Sequence, residues 1–181
     1  MNLYLSPKKC ELLMNEKTIL GHSISQEGLQ VDPNKSVIIK RDPTPQRQRG
    51  VIIFLGLDGY YRRFIKDFSK VASPLFGLLA KDAEFLWSER CQEVLENLKD
   101  KLSTTPILRG PNWALPFHIH TDAYEKYIGA SLGQIDEKLL YAIYFINKNL
   151  SKDELNYTVT EKELPVVVHS LKKFRRYITG Y

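Results

Sequence analysis

A chain of 181 residues, 43% hydrophobic and 26% charged, can bury one or two modest cores and is too apolar to remain a disordered tail. It has no run of about 18 or more apolar residues, which excludes a membrane-spanning helix. Its first twenty residues carry Lys8, Lys9, Glu11, Glu16 and Lys17 where a secretory leader would be apolar, so an intracellular protein of cytoplasm or nucleus is expected. The net charge of +5 belongs to the first third: residues 1–70 hold 12 Lys and Arg against 7 Asp and Glu, 71–115 sum to −1 and 116–181 to +1. Such an excess is compatible with contact to phosphates and, alone, selects no partner.

In chain order, residues 17–31 predict a β-hairpin: KTILGHSIS with Ile19 and Ile24 among its apolar positions, a QEG turn closed by Gly28, then LQV. Asp32 is placed to cap a short helix with Pro33 at its first position, and Pro43 and Pro45 break the chain after it. FLGLDGYYRRFIKDF, residues 54–68, predicts one helix with Phe54, Leu57, Tyr61, Phe64, Ile65 and Phe68 on one side and Arg62, Arg63 and Lys66 on another. Gly56 and Gly59 each cost about 1 kcal/mol relative to Ala inside a helix. Their missing side chains are expected to admit another backbone, either a helix or a nucleic-acid strand. By itself, a helix with an apolar stripe and three cations is more often a core helix with a solvated face.

A second amphipathic helix is expected from Ser88, a candidate N-cap, through Cys91, Val94, Leu95, Leu98 and Leu102, with Trp87 packed beside its start. Cys10 and Cys91 have no CxxC or paired-His neighbourhood and read as reduced thiols. Pro106, Gly110, Pro111 and Pro116 mark a connector. Beyond it the pattern has period two: LPFHIHTD, YIGASLGQ and LLYAIYFI predict three antiparallel strands, followed by a helix over 160–178. His118 and His120 share a strand face, but neither His22 nor His169 nor a Cys is spaced to complete a tetrahedral metal site.

Five words, LSPKKCEL at 5–12, ILGHSISQEGLQVDPNK at 19–35, FLGLDGYYRRFIKDFSKVASPL at 54–75, PFHIHTDA at 116–123 and NYTVTEKEL at 156–164, resemble in order and spacing the pol polyprotein of gypsy-type LTR retrotransposons. The resemblance covers nearly the whole chain. It implies an α+β fold with a reverse transcriptase palm remnant at 1–31, thumb and connecting helices at 32–110, and the N-terminal part of a ribonuclease H-like domain at 111–181. The LGH hairpin would be the primer grip. Gly21, His22, Tyr60, Tyr61, Arg62, Arg63 and Lys66 would then bind nucleic acid, an RNA–DNA or DNA duplex, with the remaining pol segments as further partners and no membrane partner.

Ribonuclease H chemistry uses two divalent metals held by about four carboxylates, and oxygen ligands suit Mg²⁺ or Mn²⁺. The resemblance assigns Asp122 of HTDA and Glu163 of TEKEL to that set, both catalytic and metal-binding. Singly, Asp122 reads as a strand-end turn residue and Glu163 as the partner of Thr160 in a capping box. Two features depart from the family: QRQRGVII at 46–53 lacks the usual helix cap and adds Ile52 and Ile53, and Pro165 stands where a helix former is usual. With Thr160 as cap, Pro165 costs about 3 kcal/mol, so that helix is expected to begin near Leu164 or to kink. The family's polymerase aspartates and two further ribonuclease H carboxylates do not fall within these residues. The expectation is a fragment inactive by itself with residual duplex binding. The alternatives are a domesticated nucleic-acid-binding or protein-interaction module, and a nuclease completed by another chain.

Overall fold

The computed structural model describes residues 14–81, 83–104 and 107–179, with the side chains of 57–60 and 159 left aside. Cys10 and the word LSPKKCEL lie outside them. The chain opens with a three-stranded antiparallel meander, β1 (Glu16–Ile19), β2 (His22–Ser25) and β3 (Gly28–Val31), in that order across the sheet. This corrects the single hairpin expected there. Leu20 and Gly21 both take positive φ, 49° and 75°, and reverse the chain inside LGH, a conformation glycine adopts without a Cβ penalty. Then α1 (Pro33–Arg41) starts as expected, with Asp32 accepting from the Asn34 N–H and Pro33 in the first turn.

The next helix, α2 (Gln48–Tyr61), begins at Arg47 with no side-chain cap. It stops earlier than its periodicity suggests. Arg62–Phe64 form a 3-10 turn, Ile65 is extended, and Asp67 is left-handed with φ 54° before the short α3 (Phe68–Val71) and α4 (Ser73–Gly77). The bend has a packing reason: Phe54, Tyr61, Phe64, Ile65 and Phe68 are all buried, and the chain turns around the core they share. After it comes α5 (Glu89–Ser103), where Ser88 accepts from the Cys91 N–H and Cys91, Leu95, Leu98 and Leu102 face inward. Val31, Ile39, Val51, Leu75 and Leu108 complete this first core, with Trp87 packed against it.

The second lobe is a sheet of β4 (His118–Ala123), β5 (Tyr127–Asp136) and β6 (Leu139–Asn149), antiparallel in that order, followed by α6 (Lys152–Leu155) and α7 (Val159–Ile178). Three strands and a helix stand as expected. The cap of α7 does not: Thr158, not Thr160, forms the capping box, with Glu161, and the helix runs through Pro165 instead of starting after it. Val166, Ser170 and Phe174 are buried, and this packing on the sheet offsets the one backbone bond that proline removes. Phe174 packs with Ala130, Leu132 and Ile146, and Val166 with Ile128, so α7 covers one sheet face. The opposite face meets the first lobe. Ala142 and Phe145 pack against the first core, and the buried Asn147 Nδ2 donates to the Ile65 carbonyl at 3.5 Å.

Candidate nucleic-acid interface and metal carboxylates

The LGH turn is fastened to the end of α2. Tyr61 Oη donates to the Gly21 carbonyl at 3.3 Å, and a Cβ at Gly21 would lie 2.7 Å from that oxygen. His22 is 5% exposed, with its ring centroid 5.6 Å from those of Tyr61 and Phe64. Burial first, then the charge of Arg63, holds its imidazole below the usual histidine range, against an opposing backbone bond at Leu20. His22 and Tyr61, expected at nucleic acid, are buried and take part in the packing that seats the meander. The side chain of Tyr60 lies outside the described residues.

Arg62, Arg63 and Lys66 do not share one face, because the helix expected to carry them bends at Tyr61. Arg63 is half-buried with its guanidinium 5.2 Å from the Tyr144 ring centre, and Arg62 lines the same cleft. Lys66 points into a different cavity, of about 210 Å³, whose lining includes Asp67, His120, Asp122 and Gly129. Gly56 was expected to admit either a helix or a nucleic-acid strand. A Cβ built there meets nothing within 4 Å, so no described part of the chain uses the gap. Ile52 and Ile53, on the same side of α2 by spacing, are 56% and 54% exposed, and Arg49 extends that side.

Asp122 ends β4 on the face turned away from α7, because Ile119 and Ala123 pack on the helix side and alternation sends Asp122 the other way. It is exposed and accepts from Tyr124 Oη at 2.6 Å. That bond, followed by burial and the charges of Asp67 and Asp122, pushes the Tyr124 phenol up to about 12. Lys70 Nζ lies 4.3 Å from the Tyr124 ring centre. Asp67, which sequence reasoning passed over, approaches the same place: its Oδ1 would be 3.2 Å from a Cβ on Gly129, the residue paired with Asp122. The clue in the sequence is slight, an Asp able to take the left-handed conformation after an apolar helix.

Glu163 is exposed near the start of α7. Beside it the buried positions are Lys162, whose Nζ donates to the Glu125 carbonyl at 3.1 Å, and Val166. Among the described residues no group of three or more His, Cys, Asp or Glu is placed to hold a metal ion. Asp122 and Glu163 are hard oxygen donors of the right kind for Mg²⁺, but a two-metal centre needs about four such groups. The donors described do not by themselves fit it.

A family model described as the RNase H-like domain found in reverse transcriptase matches residues 87–181, just over half of the chain. The chain belongs to this family. It is similar to the retrovirus-related Pol polyprotein from transposon 297 of Drosophila melanogaster, at 36% identity over 99% of this chain and 17% of that protein. The Pol polyprotein from transposon 412 of the same fly is 33% identical over 99% and 14%, and the transposon Tf2-3 polyprotein of Schizosaccharomyces pombe 30% over 98% and 13%. This chain thus spans 13–17% of the length of these curated relatives. Among solved structures it superposes on a foamy viral protease-reverse transcriptase in complex with RNA/DNA hybrid, TM-score 0.74 and 25% identity, over 92% of this chain and 23% of that one. The same score and identity relate it to that enzyme's dRH form in complex with double-stranded DNA, over 92% and 29%. The mixed helix-and-strand fold expected from the sequence, with its ribonuclease H-like second lobe, therefore stands, as does the retrotransposon pol resemblance. The family uses divalent metals.

Proposed function

We propose that this chain is the duplex-holding stretch of a Pol-type reverse transcriptase, with a palm remnant over 1–31, thumb helices over 32–110 and the beginning of the ribonuclease H-like domain over 111–181. The carrying observation is the open side of α2 at Gly56. A helical glycine costs about 1 kcal/mol, and nothing described in the chain occupies the space it leaves. Of the two partners that such a gap suits, a helix of this protein is absent among the described residues, which favours a nucleic-acid strand. The nearest support from outside the chain is its similarity to reverse transcriptases solved with double-stranded DNA and with hybrid. Exposed Ile52 and Ile53 would lie against sugars and Arg49 against phosphate, while Lys66 would neutralise a phosphate brought to Asp122.

Binding without base readout is expected at roughly 10⁻⁴ to 10⁻⁶ M at physiological salt, falling steeply as salt rises. Gly56→Trp should fill the open side without disturbing the fold and should lower the affinity for a labelled DNA duplex. Unchanged affinity would remove α2 from the interface. With Mg²⁺ or Mn²⁺, the chain by itself should leave the RNA of a hybrid intact, because no group of three or more His, Cys, Asp or Glu among the described residues is placed to hold a metal ion. Cleavage abolished by Asp122→Asn would refute that reading.

A further inference from the structure

The bend after α2 creates a cleft of about 490 Å³ between the two lobes, along β6, the outer strand of the second sheet. Its cations come from three elements: Arg62 and Arg63 of the 3-10 turn, Lys148 of β6 and Lys173 of α7. No Asp or Glu lines it among the described residues. Of these cations Lys148 is paired, its Nζ donating to Oε1 of Glu154 of α6 at 2.6 Å. Arg62, Arg63 and Lys173 keep their charge turned to the cleft without a carboxylate partner in any described ion pair. We propose that this cleft is a second phosphate-binding site, which seats the backbone of a nucleic-acid strand between Arg62 and Arg63 on one side and Lys173 on the other.

The chemistry favours phosphodiesters. The Arg63 guanidinium carbon lies 5.2 Å from the Tyr144 ring centre, close enough for a cation–π contact, and a guanidinium can form two parallel bonds to a phosphate. The half-buried His169 reports the field there. Its imidazole is held below the ordinary histidine range by burial first, then by the charges of Lys148, Lys173 and Arg62, against which Glu154 works alone. Four cations drawn from three elements into one cleft of this size suit a polyanion that brings several phosphates. The site stands apart from the α2 face, since Arg49, Ile52, Ile53 and Gly56 do not line it.

The test measures binding of the whole chain to a fluorescein-labelled DNA duplex and an RNA–DNA hybrid across a salt series. Lys173→Ala and Arg63→Ala should each weaken binding by about three- to tenfold at low salt and reduce the slope of log affinity against log salt by about one. The exposed Lys173 makes no packing contribution to the core, and circular dichroism should find its variant folded. The same loss should appear in a Gly56→Trp background. If Gly56→Trp is silent while Lys173→Ala weakens binding, the cleft stands and the α2 interface fails. If Lys173→Ala and Arg63→Ala both leave affinity and slope unchanged, the cleft proposal is overturned. A poly-glutamate peptide that binds more tightly than the duplexes and loses affinity in these variants would overturn it too, by making the site a receptor for acidic protein.

Discussion

In the first lobe, α2, α4 and α5 enclose Val51, Leu75 and Leu98 with no exposure at all, and seventeen buried side chains form one continuous core. In the second, the buried side chains fall into clusters of five and three, and α7 covers the sheet with one side while the other carries Leu164, Val167, Val168 and Leu171 at 40–68% exposure. Those four positions repeat at i, i+3, i+4 and i+7, a stripe of the sort that normally packs on something. The outer strand β4 adds a sheet edge beside it with no further strand among the described residues. The difference teaches that one polypeptide can hold a domain whose core is closed next to one that is stable largely through what it leans on. Asn147, Phe145 and Arg63, which bridge the lobes, are then as much supports of the second sheet as links between domains.

The sharpest way to break this comparison is a cavity in the first core. Leu98→Ala should cost about 2–5 kcal/mol in denaturant unfolding and should loosen the whole first lobe, since Leu98 lies in the middle of its core. A first lobe that tolerates it would not be the better-closed unit. Amide hydrogen exchange on the parent protein should rank β4 and β5 below α2 and α5, with fast exchange on alternate residues of β4 as the mark of an unpaired edge. Uniformly slow exchange along 118–123 in dilute monomer would show that the edge is covered.

Pro165→Ala comes next. It restores an N–H to the Glu161 carbonyl and should stabilise the second lobe by up to about 3 kcal/mol, narrowing the gap between the lobes in exchange experiments. Replacing Val168 and Leu171 by Lys should change unfolding free energy by less than about 0.5 kcal/mol each while lowering any self-association seen in sedimentation. Persisting association would move its origin to the β4 edge.

The smallest expected effect is a pH dependence. The Lys148 hydrogen bond, and after it the Ser151 backbone N–H, hold Glu154 down to about 2, below its ordinary 4.5. A depressed carboxylate contributes stability that is present above pH 4.5 and is lost as pH falls from there towards 2. The pair is partly solvent-exposed, so the contribution is at most about 1 kcal/mol. Glu154→Gln should flatten that part of the acid-unfolding profile of the second lobe and leave the first lobe unaffected.

Local signals were legible where a few adjacent residues decide the outcome. Asp32 and Ser88 cap the helices they precede, and the Cys91–Leu95–Leu98–Leu102 spacing puts those four in the core, because a cap and a helical stripe need no knowledge of the rest of the molecule. The period-two pattern from 117 onward likewise specifies strands, and the TDA and TEKEL words carried the family. The places where reading by period went astray are those where another element intervenes. A 3.6-residue repeat continues through Tyr61, yet the chain bends there because Phe64, Ile65 and Phe68 reach a shared core by turning. The cap of α7 moved from Thr160 to Thr158, where the neighbouring Glu161 carboxylate closes the box in place of Glu163.

The sequence by itself therefore determined the kinds of element, their order, most of the inward-facing residues and the family, since these follow from side-chain volume, backbone restriction and short-range spacing. Only the tertiary structure decided which cations stand together. It drew Arg62 and Arg63 to Lys173, more than a hundred residues away, sent Lys66 to Asp122, and buried His22 and Tyr61 between the meander and the end of α2. Charge and aromatic character are written in the chain, but the direction a side chain faces depends on where the backbone turns. That turn was set by apolar packing between segments far apart in sequence.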